Sequence, residues 1–301
     1  MNGIESRQRV IKNSVSSHPI SMRYRIHRIY QQLATAPSLD PGKKVNRLFS
    51  QLVRISLMNG EDAAGALLED PIIKAIQENL QRICSVGEYR LEHHWAKRLS
   101  AMTGVDLRRE IERFPYYRNY EKLARLEWNA LQSVRRRPVR KVLFVGCGPL
   151  PLTSLILAKN DALQVDNIEI DHEAYQLAAG LANRLPEKNR LRFYHADILD
   201  FKGIDAYDAI FLAALVGLKK REKRSVIRHI GISMRERGLL LIRSARHLKT
   251  LLYPPVDLDR LGNLTPLIEI HPHQDVLNSV IIVQKRKSGQ REVCDAESFD
   301  D

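Results

Sequence analysis

The sequence predicts an α/β protein in which an all-helical N-terminal domain precedes a Rossmann-like, mostly parallel sheet. Three observations support this fold class. Apolar residues recur at helical spacing before residue 140, short apolar segments alternate with helical patterns after it, and a glycine-rich turn follows the first of those segments. We divide the 301 residues into a disordered tail (1–17), a helical domain (18–138), a Rossmann-like domain (139–287) and a second disordered tail (288–301).

The helical domain is marked by apolar residues three and four positions apart, a spacing that places them on one face of a helix. The clearest sets are Leu48, Leu52, Ile55 and Leu57; Ile72, Ile73, Ile76 and Leu80; and Ile83, Gly87, Leu91 and Trp95. Turn signals rich in proline and glycine stand at 36–38 and 40–42. The pattern therefore predicts packed amphipathic helices.

The second domain alternates between short apolar strands and helices, which indicates a parallel sheet covered on both faces. Strands are predicted at 141–145, 165–170, 191–195, 207–215 and 239–243, with a closing pair at 267–271 and 276–284. Helices are predicted at 150–159, 173–185 and 219–234.

Composition favours a folded protein of a reducing compartment. Apolar residues make up 44% of the chain and charged residues 28%, which is typical of a globular protein. The three cysteines, Cys84, Cys147 and Cys294, lack the spacing of a disulfide framework or a zinc site. We find no apolar run long enough to cross a bilayer and no secretory segment near the start. We therefore expect a cytoplasmic protein that holds no metal.

The charge balance is basic, because 48 Lys and Arg against 35 Asp and Glu give a formal net charge of +13. Such a balance fits a nucleic-acid or anionic-membrane partner, but it is equally typical of a solvated basic surface. The basic clusters at 135–137 and 219–221 are interpreted as solvated faces. We expect a small-molecule substrate without nucleic-acid or membrane partners, and a homodimer is left open.

A glycine turn follows the first predicted strand. In doubly wound sheets this turn approaches a nucleotide, since glycine lets the backbone come close and the next helix favours negative charge. Gly146, Gly148, Pro149 and Leu150 are the predicted contacts. The third glycine of NAD sites is missing, and a tight structural turn without a ligand is the competing interpretation.

Two acids at strand ends strengthen the nucleotide prediction. Glu169 ends the second strand, where a carboxylate can accept both ribose hydroxyls. Asp197 follows the third strand, where it can accept from an adenine amino group while Ile198 packs on the ring. This order of glycine turn and acids is the layout of class I S-adenosylmethionine-dependent transferases.

The turn after the fourth strand, 211–217, lacks the Asn/Asp-Pro-Pro-aromatic signature of many methyltransferases. It offers no side-chain acceptor for an amine, so the amine must be bound elsewhere. We expect this turn to contact the nucleotide through Ala213.

Several segments together resemble the nicotianamine synthase family. They are 146–154, 211–217, 243–245 with 252–257, and 271–282 in the sheet domain, and 82–84, 91–94 and 114–120 in the helical domain. The resemblance covers roughly residues 25–287, and ordered motifs in both halves are more specific than any single one. Cys147 stands where plant members usually have serine, and 168–171 departs from their Tyr-Asp-Leu, but an acid remains at the ribose position.

The resemblance implies transfer of the aminobutanoate arm of S-adenosylmethionine rather than its methyl group. An amine attacks the carbon that links this arm to sulfur, and 5′-methylthioadenosine leaves. Nicotianamine requires three S-adenosylmethionine molecules, with two transfers and closure of an azetidine ring. The enzyme must choose among three activated carbons by position and must present a neutral amine, which requires a base.

The resemblance places functional residues at Glu92 and Tyr120. Glu92 is the candidate general base, in a helix whose Leu91 and Trp95 indicate a packed interior. Tyr120 is the candidate partner that orients the amine or the carboxylate. Taken without the resemblance, a surface acid and a core tyrosine are the simpler interpretations.

Several further side chains remain open at this stage. Arg243 holds a substrate carboxylate or forms a structural ion pair. Tyr253 lines the same pocket or packs under the prolines that follow it. Glu88, one turn before Glu92, shares the site of the base or is a solvated acid, and the solvated acid is favoured. His94 is interpreted as a core or supporting histidine.

The predicted function is nicotianamine synthase, a metallophore-forming transferase of metal homeostasis. The runner-up is an opine-metallophore synthase that makes one aminobutanoate transfer onto histidine or glutamate. Two more hypotheses are an RNA methyltransferase that uses the basic clusters and an inactive homologue that binds S-adenosylmethionine without turnover. The low aromatic content, 6%, offers few stacking platforms for single strands.

Overall fold

The computed structural model describes residues 19–58, 61–104, 106–273 and 276–286. The tails predicted to be disordered, 1–17 and 288–301, lie outside these residues.

The described N-terminal half is helical. Its helices are α1 (Pro19–Ala34), α2 (Lys43–Ser56), α3 (Glu61–Glu69), α4 (Pro71–Ala101), α5 (Leu107–Ile111) and α6 (Tyr117–Val134). Helix α4 has 31 residues and a capped start, because the Asp70 carboxylate accepts from the amides of Ile72 and Ile73 and Pro71 takes the first position. Its buried residues, from Ile73 to Leu99, recur every three to five positions and carry the helix through the core.

The C-terminal half forms a sheet of seven strands within the described residues. They are β1 (Lys141–Val145), β2 (Gln164–Glu169), β3 (Leu191–His195), β4 (Ala209–Leu212), β5 (Leu239–Ser244), β6 (Leu264–Ile270) and β7 (Ser279–Lys285). The strand order is β3-β2-β1-β4-β5-β7-β6. Strands β1 to β5 are parallel, and β7 is antiparallel to both of its neighbours. The α/β fold class predicted from the sequence is confirmed.

Two predicted strands are longer than the observed ones because the chain turns into a cavity. The segment predicted at 207–215 leaves the sheet after Leu212, and Ala213 and Ala214 line the cavity instead. The strand predicted from 276 begins at Ser279. Ahead of it, the carbonyl of Val276 accepts from Lys249 Nζ at 2.7 Å, and the amide of Leu277 donates to the side chain of Asn119 at 3.2 Å.

Connecting helices cover both faces of the sheet. They are α7 (Leu152–Leu157), α8 (His172–Ala182) and α9 (Lys220–Ser233). Along β1, Val142 and Phe144 belong to the core with α6, α7 and α8, whereas Leu143 and Val145 belong to the core with α9. Alternate residues of a strand face opposite sides, so the sheet is buried on both.

The helical half packs against the end of the sheet where the parallel strands terminate. Helix α4 contacts α8, and α6 contacts α7. These contacts place the middle of α4 and the start of α6 above the turns that follow β1 and β4. No helix in the described ranges is long and apolar enough to cross a bilayer.

Candidate active site

A cavity of about 190 Å³ lies between the helical half and the carboxyl ends of β1, β4 and β5. Ligands of doubly wound sheets bind at this edge. The cavity brings together predicted residues from both halves of the chain: Glu92, Tyr120, Gly146, Leu150, Ala213, Arg243 and Tyr253. Over the residues that the structure describes, no group of three or more His, Cys, Asp or Glu side chains is placed to hold a metal ion.

The glycine turn after β1 adopts a backbone that non-glycine residues rarely take. Gly146 has φ +79° and Gly148 has φ +67°. A Cβ on Gly146 would lie 2.2 Å from a methyl carbon of Val216, and one on Gly148 would lie 2.8 Å from Oε2 of Glu92. The turn therefore requires glycine for its conformation and for its closeness to the neighbouring side chains.

Glu169, the predicted ribose acid, supports this turn. Its carboxylate accepts from the amide of Gly148 at 2.8 Å and from the amide of Asp171 at 3.0 Å. Asp197 accepts from the amide of Leu199 at 2.9 Å. The lining of the cavity does not include Glu169 or Asp197, which stand at the neighbouring strand ends. Their roles toward ribose and adenine remain predictions.

The remaining predicted nucleotide contacts lie close to the turn. Pro149 is buried behind Gly148, and Leu150 and Ala213 line the cavity. Ile198 is 4% exposed and packs in the core on the α9 face, so little of its surface is free to cover a ring.

Two glutamates and two tyrosines form one hydrogen-bonded group in the cavity. The hydroxyl of Tyr120 lies 2.6 Å from Oε1 of Glu92 and 3.0 Å from Oε1 of Glu88. The hydroxyl of Tyr253 donates to Oε2 of Glu88 at 2.8 Å. Glu92 is 8% exposed although it is an acid. Helix α4 supplies both carboxyls, α6 supplies Tyr120, and the segment after β5 supplies Tyr253.

The hydrogen bonds in this group favour one shared proton. The hydroxyl of Tyr120 has one hydrogen and lies close to both carboxyls, so both contacts are satisfied when Glu88 or Glu92 is protonated and donates to the Tyr120 oxygen. In that state the pair of glutamates carries a single negative charge.

The raised pKa values of the two glutamates also favour a retained proton. Burial raises the pKa of Glu92 well above its usual range, the charge of Glu88 raises it further, and the hydrogen bond from Tyr120 opposes both. Burial also raises the pKa of Glu88, while the hydrogen bonds from Tyr253 and Tyr120 lower it. The pKa of Tyr120 is raised well above its usual range by burial and then by the two carboxylates, so the phenol keeps its proton. A carboxyl with a raised pKa is suited to general-base chemistry near neutral pH.

Arg243 forms the structural ion pair that the sequence left open. Its Nε and Nη2 donate to the two oxygens of Glu127 at 2.6 and 2.9 Å, and Nη2 also donates to Thr153 at 2.7 Å. Both charged residues are buried, Glu127 completely. Arg243 also lines the cavity, and its Nη1 has no hydrogen-bond partner among the described residues. Arg243 can therefore form the ion pair with Glu127 and still contact a substrate in the cavity.

The structure contradicts the interpretation of Glu88 as a solvated acid and that of His94 as a core residue. Glu88 is not a solvated acid, because it lines the cavity and binds both tyrosines. His94 is exposed rather than part of the core. The register of α4 contained the signal for Glu88: positions 84, 88, 92 and 96 are four apart, so Glu88 lies on the same face as Cys84 and Ala96, which are buried. Sequence reasoning also missed Glu127, which ordinary helix periodicity cannot distinguish from a surface acid.

The sheet order with its reversed β7, the glycine turn after β1 and the acids after β2 and β3 define a class I S-adenosylmethionine-dependent transferase fold. The solved structure of an MtNAS mutant in complex with S-adenosylmethionine matches this fold with a TM-score of 0.74, over 88% of this chain and 98% of that chain, at 20% identity. MtNAS in complex with MTA and tNA matches with a TM-score of 0.73, over 87% and 97% of the two chains.

The sequence comparisons define the family within this class. The family model described as nicotianamine synthase protein matches residues 20–290. Nicotianamine synthase 2 of Arabidopsis thaliana is 37% identical over 261 residues, 85% of this chain and 81% of that protein. Nicotianamine synthase 2 of Oryza sativa subsp. japonica is 38% identical over 269 residues, 85% of this chain and 80% of that protein. The chain belongs to the nicotianamine synthase family.

Proposed function

We propose that this protein is a nicotianamine synthase that consumes S-adenosylmethionine and transfers its aminobutanoate arm. The observation that carries the proposal is the contact between the two halves of the site. The hydrogen-bonded glutamate pair touches the glycine turn, since Oε2 of Glu92 lies 2.8 Å from where a Cβ of Gly148 would stand. A base is thus held at the point where the nucleotide end of the donor enters the cavity.

The proposed donor site consists of the glycine turn with Pro149 and Leu150, of Ala213, and of the acids Glu169 and Asp197 with Ile198. The turn and Ala213 border the cavity, which supports a sulfonium placed beneath α4. Glu169 holds the amide of Gly148, so its carboxylate fixes the turn while its remaining lone pairs stay available to ribose hydroxyls.

The proposed step is displacement at the carbon between the aminobutanoate arm and sulfur. The amine nitrogen forms a bond to this carbon, the carbon–sulfur bond breaks, and its electron pair leaves with 5′-methylthioadenosine. The proton of the amine passes to Glu92, and Tyr120 holds the receiving carboxyl in place. Azetidine closure repeats this displacement within one molecule, and three S-adenosylmethionine molecules give one nicotianamine.

The charge of the cavity supports this donor. S-adenosylmethionine carries a sulfonium, an ammonium and a carboxylate, and hence one net positive charge. Glu127 neutralises Arg243 within hydrogen-bond distance. The glutamate pair, which shares one proton, therefore leaves the cavity with one net negative charge that matches the donor.

The test is mass spectrometry of the purified protein incubated with S-adenosylmethionine alone. We expect nicotianamine together with 5′-methylthioadenosine. S-adenosylhomocysteine in place of methylthioadenosine would overturn the proposal in favour of a methyltransferase. Methylthioadenosine that forms only after histidine or glutamate is added would instead indicate a single-transfer enzyme.

Wider aspects of the function belong to the same proposal. A product built from three aminobutanoate units carries several amines and carboxylates, which suits a metallophore in metal homeostasis. Cys84 and Cys147 are free and buried thiols, which is consistent with the cytoplasm. The homodimer left open by the sequence also remains to be tested, by light scattering of the purified protein.

A further inference from the structure

We propose that Asn278 and Arg243 form a carboxylate-binding end of the cavity, which holds the α-carboxylate of an aminobutanoate arm of S-adenosylmethionine. The choice of this ligand rests on the proposed function. The inference names a binding residue, Asn278, that lies outside the glutamate–tyrosine group and outside the nucleotide-binding turns.

Asn278 is a buried donor without an acceptor. Its side chain is 5% exposed and lines the cavity, and its Nδ2 has no hydrogen-bond partner among the described residues. A buried amide that is left unpaired is costly, and native proteins rarely keep one without a partner. A ligand oxygen in the cavity would supply the missing acceptor.

The sheet places Asn278 beside Arg243. In the antiparallel ladder of β5 and β7, Arg243 pairs with Val280, and Asn278 lies two residues before Val280. Asn278 immediately precedes β7, and both side chains line the cavity, which places Asn278 and Arg243 within reach of one ligand. The sheet face of Arg243 also carries Leu239 and Leu241 on β5 and Val280 and Ile282 on β7, all of them buried core residues. These apolar residues are thus followed by two polar residues, Arg243 and Asn278, where the strands meet the cavity.

The two residues offer donors that suit a carboxylate. The Nε and Nη2 of Arg243 are used by Glu127, which fixes the plane of the guanidinium, whereas Nη1 has no partner among the described residues. A guanidinium nitrogen and an amide nitrogen are both donors without accepting capacity. Together they favour an anionic acceptor over a neutral one.

The glutamate pair in the same cavity suits the ammonium of the same group. Asn119 and Tyr120 are adjacent on α6. Asn119 accepts from the amide of Leu277 and so fixes the segment that carries Asn278, while Tyr120 binds the glutamate pair. An α-amino acid group carries an ammonium and a carboxylate on one carbon. The cavity offers a negative group and a pair of donors, each contacted by a residue of α6, and an α-amino acid group requires both.

The test compares two ligands by isothermal titration calorimetry in the Glu92→Gln background, which is expected to bind S-adenosylmethionine without consuming it. The ligands are S-adenosylmethionine and its decarboxylated form, in which hydrogen replaces the α-carboxylate. For Asn278→Ala we expect binding of S-adenosylmethionine to weaken by about tenfold, which corresponds to about 1.4 kcal/mol. Binding of the decarboxylated ligand should stay unchanged. Asn278→Asp should weaken the binding of S-adenosylmethionine further, because the new carboxylate would repel the α-carboxylate of this ligand. It should not weaken the binding of the decarboxylated ligand, which has no carboxylate.

The matched control is Asn263→Ala, which removes an amide whose Nδ2 is already satisfied by the carbonyl of Gly231 at 2.8 Å, away from the cavity lining. It should change the affinity of neither ligand. Should Asn278→Ala fail to fold, Asn278→Leu keeps the branched shape of the side chain without a donor and the same comparison applies. Equal weakening of both ligands, or no weakening of either, would overturn the inference. Calorimetry needs no turnover, so a failed product assay would count against the proposed function and leave this result standing.

Discussion

A side-chain carbon on Gly148 would stand 2.8 Å from Oε2 of Glu92. The nucleotide turn of the sheet and the acid of helix α4 are therefore in contact, although they are far apart in the sequence. Under the proposed function, this contact ties the position of the proposed base, Glu92, to the position of the donor. Each half of the chain contributes one side of it, so neither half forms the site alone.

Gly148→Ala should remove activity through this contact. The new methyl group would push Glu92 away from the turn and would also strain a residue at φ +67°. Gly203→Ala is the matched control, because Gly203 has φ +76° but nothing within 4 Å of an added Cβ. Each variant should lose about 1 kcal/mol of stability from the backbone. Only Gly148→Ala should lose methylthioadenosine release. Equal activity in the two variants would show that the contact between Gly148 and Glu92 does not matter for the reaction.

Glu92→Gln should retain S-adenosylmethionine binding and lose turnover. The amide keeps the shape of the side chain and can still hydrogen-bond to Tyr120, but it cannot accept a proton from the amine. Loss of a general base costs about 10²- to 10⁴-fold in rate. The measurement is kcat for methylthioadenosine release, with binding followed by calorimetry. Glu78→Gln, on the exposed face of the same helix, is the control and should behave as the wild type. A wild-type rate in Glu92→Gln would show that Glu92 is not the base.

Glu88→Gln should move the acidic limb of the pH profile to lower pH. The charge of Glu88 raises the pKa of Glu92, so its removal lowers that pKa. The base is active when ionised, and a lower pKa keeps it ionised in more acidic solution. The readout is kcat/KM against pH for the wild type, Glu88→Gln and Glu78→Gln. A limb that stays in place, or that moves to higher pH, would mean that Glu88 does not act on Glu92.

Sequence reasoning reached the fold and the glycine turn after β1 but not the complete acid group. Strands such as β1 and β3 have the predicted bounds because short apolar segments between turn signals leave few possible assignments. The register of α4 places Glu88 on a buried face but does not show what it contacts, and Asn278 has no such local signal. The contacts of both depend on what α6 and the segment after β5 bring against them, and such long-range packing leaves no local pattern. The partner of Arg243, Glu127, lies 116 positions away for the same reason.

The buried pair also predicts how stability depends on pH. The folded-state pKa of Glu92 is raised above its unfolded value, so its contribution is complete below the unfolded pKa and is lost as pH rises through the folded pKa. Gln does not titrate. Glu92→Gln should therefore be more stable than the wild type at neutral and alkaline pH, by about 1.4 kcal/mol for each unit of pKa shift. Thermal unfolding from pH 4 upward should show this difference growing with pH, and a constant difference would contradict the raised pKa.

Loss of Glu127 should destabilise the protein more than it changes the chemistry directly. Glu127→Ala would leave the guanidinium of Arg243 buried, with the Thr153 hydroxyl as its remaining hydrogen-bond partner among the described residues. Breaking a buried ion pair on one side costs about 3–5 kcal/mol, whereas replacing both partners by apolar residues is often neutral. Glu127→Leu combined with Arg243→Met should therefore recover most of the stability in chemical denaturation. It should not recover S-adenosylmethionine affinity, because the cavity would still lack the Arg243 donor; recovery of both would show that Arg243 serves the fold alone.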